Sequence, residues 1–189
     1  MSTYPFSRRA FLSAVASLGV TALAPLARAD GSAPDGASPP PAAPPPSATA
    51  SGSRVTRVTR DERGVTLMLE LAHAPFPAPG SVHRDPSVLV FVPKHHRAGP
   101  GGATHLVVHF HGHNSTAPRA TAKHQLREQL FDSKQNAILV VPEVAVLAAD
   151  SSAGKLESPG AFARLLDDVL ATLDTREARV ARTSSSNLA

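Results

Sequence analysis

Short apolar runs in the middle of the chain predict β-strands. Residues 65–71 alternate between apolar and polar side chains, which is typical of a strand with one buried face. A polar turn at 61–64 joins them to residues 55–60, and this pattern predicts an antiparallel hairpin. Three later runs are continuously apolar and stop at or near a proline or glycine: 88–92, 106–110 and 137–141. Strands of that kind need cover on both faces, so we expect helices above and below the sheet.

Two helices are predicted from apolar positions spaced three and four residues apart. The first covers residues 119–133. The second follows Ser158 as cap and Pro159 in the first helical position, and its apolar stripe continues to Leu173. The order hairpin, strand, strand, helix, strand, helix predicts an α/β fold with a mostly parallel sheet and flanking helices.

Composition narrows the function classes. The 189 residues contain no Cys, which excludes disulfides, thiolate zinc sites and thiol catalysis. Three of the 19 basic residues lie among the first 29 residues, where there is no acid. The rest of the chain is nearly neutral, so the net charge of +4 does not indicate a nucleic-acid partner. We expect one domain and no cofactor.

The first 29 residues resemble a twin-arginine export signal. Arg8 and Arg9 precede an apolar run at 14–26, and the small residues Ala27 and Ala29 form a cleavage site. The run is shorter than the roughly 20 residues that a membrane span needs, although a permanent N-terminal anchor is the alternative. The resemblance implies recognition by the twin-arginine translocation machinery, cleavage after Ala29, a periplasmic or secreted protein and no stable span in the mature chain.

The next segment predicts a tether rather than a folded part. Residues 30–53 contain seven prolines and no apolar side chain larger than Ala or Pro, so nothing offsets the entropy of ordering them. We therefore expect a disordered linker at 30–53, a folded domain at 54–182 and a disordered polar tail at 183–189.

A histidine-glycine pair follows the third buried strand. With the preceding strand at 88–93 and the glycine-rich loop at 99–102, this stretch resembles the early strands of α/β-hydrolase esterases and lipases. The resemblance covers about residues 65–173 and implies a partial fold of that family and a small ester substrate. In that family the loop after this strand supplies a backbone N–H to the oxyanion hole. The candidate loop comprises His111, Gly112, His113 and Asn114.

The chain departs from that family where the nucleophile belongs. No Gly follows Gly160, so a Gly-x-Ser-x-Gly turn is missing, and Ser184, Ser185 and Ser186 lie in the polar tail. We expect a form that ends before the fifth strand of the family and lacks the catalytic serine. Whether such a chain is an enzyme stays open. The alternative from another class is a non-catalytic periplasmic binding module whose open sheet edge a partner completes.

A histidine-based metal site is the third hypothesis. His109, His111 and His113 recur at a spacing of two, which places them on one face if the strand continues through them. Neutral imidazoles are common zinc ligands. The row faintly resembles the His-x-His-x-Asp-His of metallo-β-lactamase-like hydrolases, but Gly112 stands where the fold of that family needs its Asp. The competing interpretation is that His109 lines the sheet while His111 and His113 lie at the rim of the loop.

Three charged residues are candidates for the rim of a pocket. Glu143 directly follows the last predicted strand, and Asp150 and Lys155 lie in the long loop before the last helix. Ligands of α/β folds bind at the carboxyl edge of the parallel strands, where this loop begins. Solvated charges on a loop are the alternative interpretation of Asp150 and Lys155.

Overall fold

The folded part of the chain is one five-stranded sheet with helices on both faces. A computed structural model describes residues 48–144, 146, 152–175 and 178–179. The strands follow one another in space in the order β1-β2-β3-β5-β4. Their bounds are β1 Arg54–Asp61, β2 Gly64–Glu70, β3 Ser87–Pro93, β4 His105–Val108 and β5 Ala137–Pro142.

The sheet is mixed and mostly antiparallel, so the predicted mostly parallel α/β-hydrolase sheet is wrong. The hairpin of β1 and β2 is antiparallel as predicted, but β3 also runs antiparallel to both β2 and β5. Only β4 and β5 pair in parallel. The continuous apolar run of β3 indicates burial on two faces, and a central antiparallel strand between helical layers meets that condition equally well.

The helices differ from the prediction at their ends. Residues 119–133 contribute to two short helices instead of one, because Gln125 adopts a left-handed conformation with φ of 50° and interrupts the turn. The last helix begins after Gly160, whose φ is 72°, rather than at Pro159. The three helices are α1 Ala117–Lys123, α2 Leu126–Asp132 and α3 Ala161–Leu173.

Two apolar layers hold the helices against the sheet. One face packs Val65, Val90 and Val140 against α3, which contributes Leu165 and Val169. The other face packs against α1 and α2, with these residues in the cluster: Leu89, Phe91, Ala117, Leu130, Ala137, Leu139 and Val141. Burial of this much apolar surface is the main source of stability in such a domain.

The two edges of the sheet differ in chemistry. The outer strand β1 carries Arg54, Arg57 and Arg60 and has an irregular register near Val55, features that protect an edge against pairing with other chains. The edge strand β4 carries neither Lys nor Arg, and its residue Val107 is 45% exposed. The apolar edge of the described sheet is therefore β4.

The folded unit starts ahead of β1. Ser51 and Ser53, which the sequence analysis assigned to the linker, donate hydrogen bonds to the carboxylate of Asp168 on α3, at 2.9 and 3.0 Å. The backbone N–H of His73 reaches the same carboxylate at 2.9 Å. Within the described ranges, no helix is long and apolar enough to cross a membrane.

Candidate functional site

His111 and Glu143 meet at the carboxyl ends of the two parallel strands. His111 follows β4 and Glu143 follows β5, so the parallel register brings the two residues together at the carboxyl end of these strands. Glu143 Oε1 lies 2.9 Å from His111 Nε2, and the two side chains are 6% and 0% exposed. The buried pair is the chemical centre of this edge.

Hydrogen bonds around the pair locate its protons. His111 Nδ1 lies 3.1 Å from the carbonyl oxygen of Gly112, to which it donates, and Nε2 accepts the N–H of Val144 at 3.1 Å. An Nε2 that accepts from Val144 corresponds to a neutral imidazole, and its single lone pair would be shared between the Val144 N–H and a protonated Oε1. Apart from His111 Nε2, no donor among the described residues reaches Glu143 Oε1. The close Oε1–Nε2 contact is then a hydrogen bond only if Oε1 carries the proton.

The environment of Glu143 favours that protonated form. Burial raises the pKa of Glu143, and the negative charge of Asp85 raises it further. The N–H of Ala117, which donates to Oε2 at 2.8 Å, and the neighbouring His111 act in the opposite direction without cancelling the rise in pKa. We therefore expect a protonated carboxyl beside a neutral imidazole in part of the pH range above 4.5, and we call this arrangement the neutral pair.

The pair fixes the loop between β4 and α1. Its first residue, His111, is held by Glu143 and Val144, and its far end enters α1, where Ala117 binds Glu143. Between these anchors Gly112 and His113 are exposed. Within the described part of the chain, neither of their backbone N–H groups donates a hydrogen bond. The loop thus presents two adjacent unbonded N–H groups from a fixed support.

The structure does not bring the three histidines of the metal hypothesis together. β4 ends at Val108, so they do not share one strand face. His109 lies beside His124, with ring centroids 6.2 Å apart, and burial together with His124 and His111 lowers the pKa of His109. His113 is exposed on the loop. Nowhere in the described ranges do three His, Asp or Glu residues cluster as metal ligands do.

Lys155 lies in a turn that supports the loop after β2, which leaves the sheet at the same end as Glu143. Its Nζ donates to the carbonyl oxygen of Ala72 at 3.0 Å, and its backbone N–H donates to Pro75. The preceding Gly154 has φ of 58° and sits so close to Pro75 that a Cβ would lie 2.4 Å from the carbonyl oxygen. Asp150, the remaining predicted rim residue, lies outside the described residues.

A second polar cluster, around Asp168, was missed by the sequence analysis. It contains serine, histidine and aspartate side chains, but the serines and the histidine all donate hydrogen bonds to the Asp168 carboxylate. The Ser53 hydroxyl donates to Asp168 and accepts the N–H of Ala72, so its oxygen faces no histidine base. Burial would raise the pKa of Asp168, yet the bonds from His73, Ser51 and Ser53 lower it below its ordinary value. The cluster is a structural anchor.

A groove opens at the opposite end of the parallel strands, where β4 and β5 begin. It has a volume of about 860 Å³ and lies between the sheet, the loop before β4 and the C-terminal half of α3. Its lining includes Val65, Ile138 and Leu170 but neither His111 nor Glu143. The groove and the buried pair of His111 and Glu143 are therefore two distinct candidate sites in the described part of the chain.

Comparison with known proteins adds no relative to these observations. No protein-family model, curated protein or solved structure matches the chain. The predicted export signal and the serines of the tail lie outside the described residues. Function is therefore argued from the geometry of the two sites.

Proposed function

We propose that the loop of residues 111–114 is the oxyanion-binding element of an acyl-transfer site in an exported, esterase-like protein. The observation that carries the proposal is the pair of adjacent, exposed N–H groups of Gly112 and His113, which have no hydrogen-bond partner in the described residues. The buried contact between His111 and Glu143 keeps the loop in place. Preorganised N–H groups of this kind stabilise the negative charge that forms on a carbonyl oxygen during ester cleavage.

The described residues supply this electrostatic part and not the nucleophile. Two serine hydroxyls that lie near histidines in the chain or in the fold have other partners: Ser53 donates to Asp168, and Ser81 accepts the backbone N–H of His83. The open space around Gly112, where an added Cβ would meet no atom within 4 Å, leaves room for a substrate oxygen. We therefore expect the chain to bind an oxyanion without hydrolysing esters by itself.

Amide NMR tests the binding step. The probe is butylphosphonate, whose tetrahedral anion resembles the intermediate of ester cleavage. We expect saturable downfield shifts of the Gly112 and His113 amide protons, and none with butanol at the same concentrations. His111→Ala should abolish the shifts while Lys123→Gln, on the exposed side of α1, retains them. Shifts confined to other residues, or equal shifts in the His111→Ala variant, would contradict the proposal.

Catalysis is tested separately. With a short-chain chromogenic ester and a fluorophosphonate label, we expect no hydrolysis above background and no stoichiometric labelling. Labelling of one site per chain, lost when Ser184, Ser185 and Ser186 are replaced together, would show that the tail contains a working nucleophile. That result would refute the proposed division between oxyanion element and nucleophile.

Export is the second part of the proposal and depends on the N-terminal pattern. Arg8 and Arg9, the apolar run and the site at Ala29 support a twin-arginine signal. Replacement of both arginines by lysine should stop export, and the exported chain should begin at Asp30. An exported protein that retains Met1, or export that survives the double replacement, would contradict this assignment.

A further inference from the structure

The groove at the amino ends of β4 and β5 combines an apolar floor with a basic rim. The floor is formed by side chains of the sheet and of α3, among them Val65, Ile138 and Leu170. Leu170 is 37% exposed, although it belongs to the apolar stripe of α3. Val65 and Ile138 are buried at the bottom of the groove, so Leu170 supplies the exposed apolar surface with which a ligand could make contact.

The rim has an excess of positive charge. The loop before β4 contributes Lys94 and Arg97, and Arg179 faces them from beyond α3. Asp174 is the acidic residue of the lining and lies 3.5 Å from the Arg179 guanidinium. Arg97 is held in position, because its side chain donates to the backbone carbonyls of Lys94 and His96 and its N–H donates to Asn136.

We propose that this groove binds a free fatty acid, with its alkyl chain on the apolar floor and its carboxylate beside Lys94. The charge of the rim is complementary to a single anionic head group, and the floor is complementary to an unbranched chain. A volume of about 860 Å³ falls within the range of small-molecule sites. Among the described residues that line the groove there is no Phe, Tyr or Trp on which a nucleobase could stack.

This site is independent of the proposed oxyanion loop. The loop lies at the carboxyl ends of the parallel strands and the groove at their amino ends, so no residue belongs to both. Binding of a fatty acid requires neither a nucleophile nor the pair of His111 and Glu143. Failure of either proposal therefore leaves the other one intact.

Isothermal titration of residues 30–189 with dodecanoate, below the concentration at which it forms micelles, tests the proposal. We expect saturable binding at one site per chain. Lys94→Glu should weaken it by about five- to ten-fold, since it replaces an attractive charge with a repulsive one. Leu170→Asp should weaken it by at least about ten-fold through loss of apolar contact. The matched control Lys123→Glu, on α1 at the other face of the sheet, should bind as the unchanged chain does.

Two further measurements keep the result unambiguous. Dodecyltrimethylammonium has the same chain and the opposite charge, and we expect it to bind at least ten-fold more weakly. Amide NMR should show shifts at Ala103, Thr104 and Leu170, and circular dichroism should show that each variant is folded. Equal binding of the cationic probe, equal effects of Lys94→Glu and Lys123→Glu, shifts that avoid the groove, or no binding at all would each overturn the proposal.

Discussion

Replacement of Glu143 by Gln provides a quantitative test of the protonation state of the buried pair. The Gln carboxamide retains an acceptor for the N–H of Ala117 and offers an N–H donor to His111 Nε2, so both contacts of the native side chain survive. The difference between the two chains is that only Glu can ionise. The variant therefore isolates the free energy linked to the Glu143 proton.

The expected pH dependence follows from the raised pKa of Glu143. Between the ordinary value of 4.5 and the higher pKa in the fold, the folded chain holds a proton that the unfolded chain has lost. The stabilising contribution is complete below pH 4.5 and is lost as the pH rises through the pKa of the folded state. Each unit by which the pKa is raised corresponds to about 1.4 kcal/mol. We expect equal stability of the two chains near pH 4.5 and a more stable Gln variant near pH 8.

Urea unfolding from pH 4.5 to 8 measures these differences. Glu143→Ala leaves the buried N–H of Ala117 without an acceptor and should cost about 2–4 kcal/mol. Glu128→Gln, on the surface of α2, is the control and should not change the pH profile. If Glu143 were instead a carboxylate paired with a charged His111, Glu143→Gln would destabilise the chain by about 3–5 kcal/mol near neutral pH. That outcome would refute the neutral pair.

Three further changes test the packing of the fold. Gly154→Ala should lower the free energy of unfolding by about 2 kcal/mol or more, because the added Cβ meets a carbonyl oxygen at 2.4 Å. The control Gly80→Ala, with no atom near its Cβ, should cost about 1 kcal/mol, and thermal melts measure both changes. Asp168→Asn should reduce the loss of stability on acidification. The pKa of Asp168 is lowered in the fold, so its stabilising contribution is complete above pH 3.8 and disappears as the pH falls through the pKa of the folded state. Urea unfolding between pH 2.5 and 6 measures this loss. Val107→Lys should reduce self-association in light scattering, while Val82→Lys, an exposed change away from the edge, should not.

The strands could be predicted closely from sequence, whereas their directions could not. The apolar runs of β3 and β5 end at a proline, and their bounds agree with the prediction to within one residue, whereas β4 ends at Val108, two residues before the end of its predicted run. Direction depends on how the chain returns between strands, and the 16 residues that connect β2 to β3 carry no periodic pattern that shows it. The left-handed conformation of Gln125, which divides the first predicted helix, could not be predicted either, because a glycine usually marks such a position and here it is a glutamine.

The site was predicted in separate parts. His111 was selected for the loop and Glu143 for the strand end, but their contact depends on the parallel register of β4 and β5, which a single sequence does not show. The Asp168 anchor did leave a signal. Asp168 and Thr172 interrupt the apolar stripe of α3 at positions that face the core, and a buried polar side chain needs a partner elsewhere in the fold.

The same anchor has a consequence for the order of folding. Ser51 and Ser53 are separated from Asp168 by 117 and 115 residues, so the first part of the fold is secured by one of its last helices. Contacts between such distant positions form late, because a long loop must close before they contribute. During synthesis, the hairpin of β1 and β2 can pair as soon as it emerges and can bring Ala72 to Ser53, but the bonds to Asp168 form only after α3 has been made. Ser51 and Ser53 therefore lack their carboxylate partner for nearly the whole duration of translation.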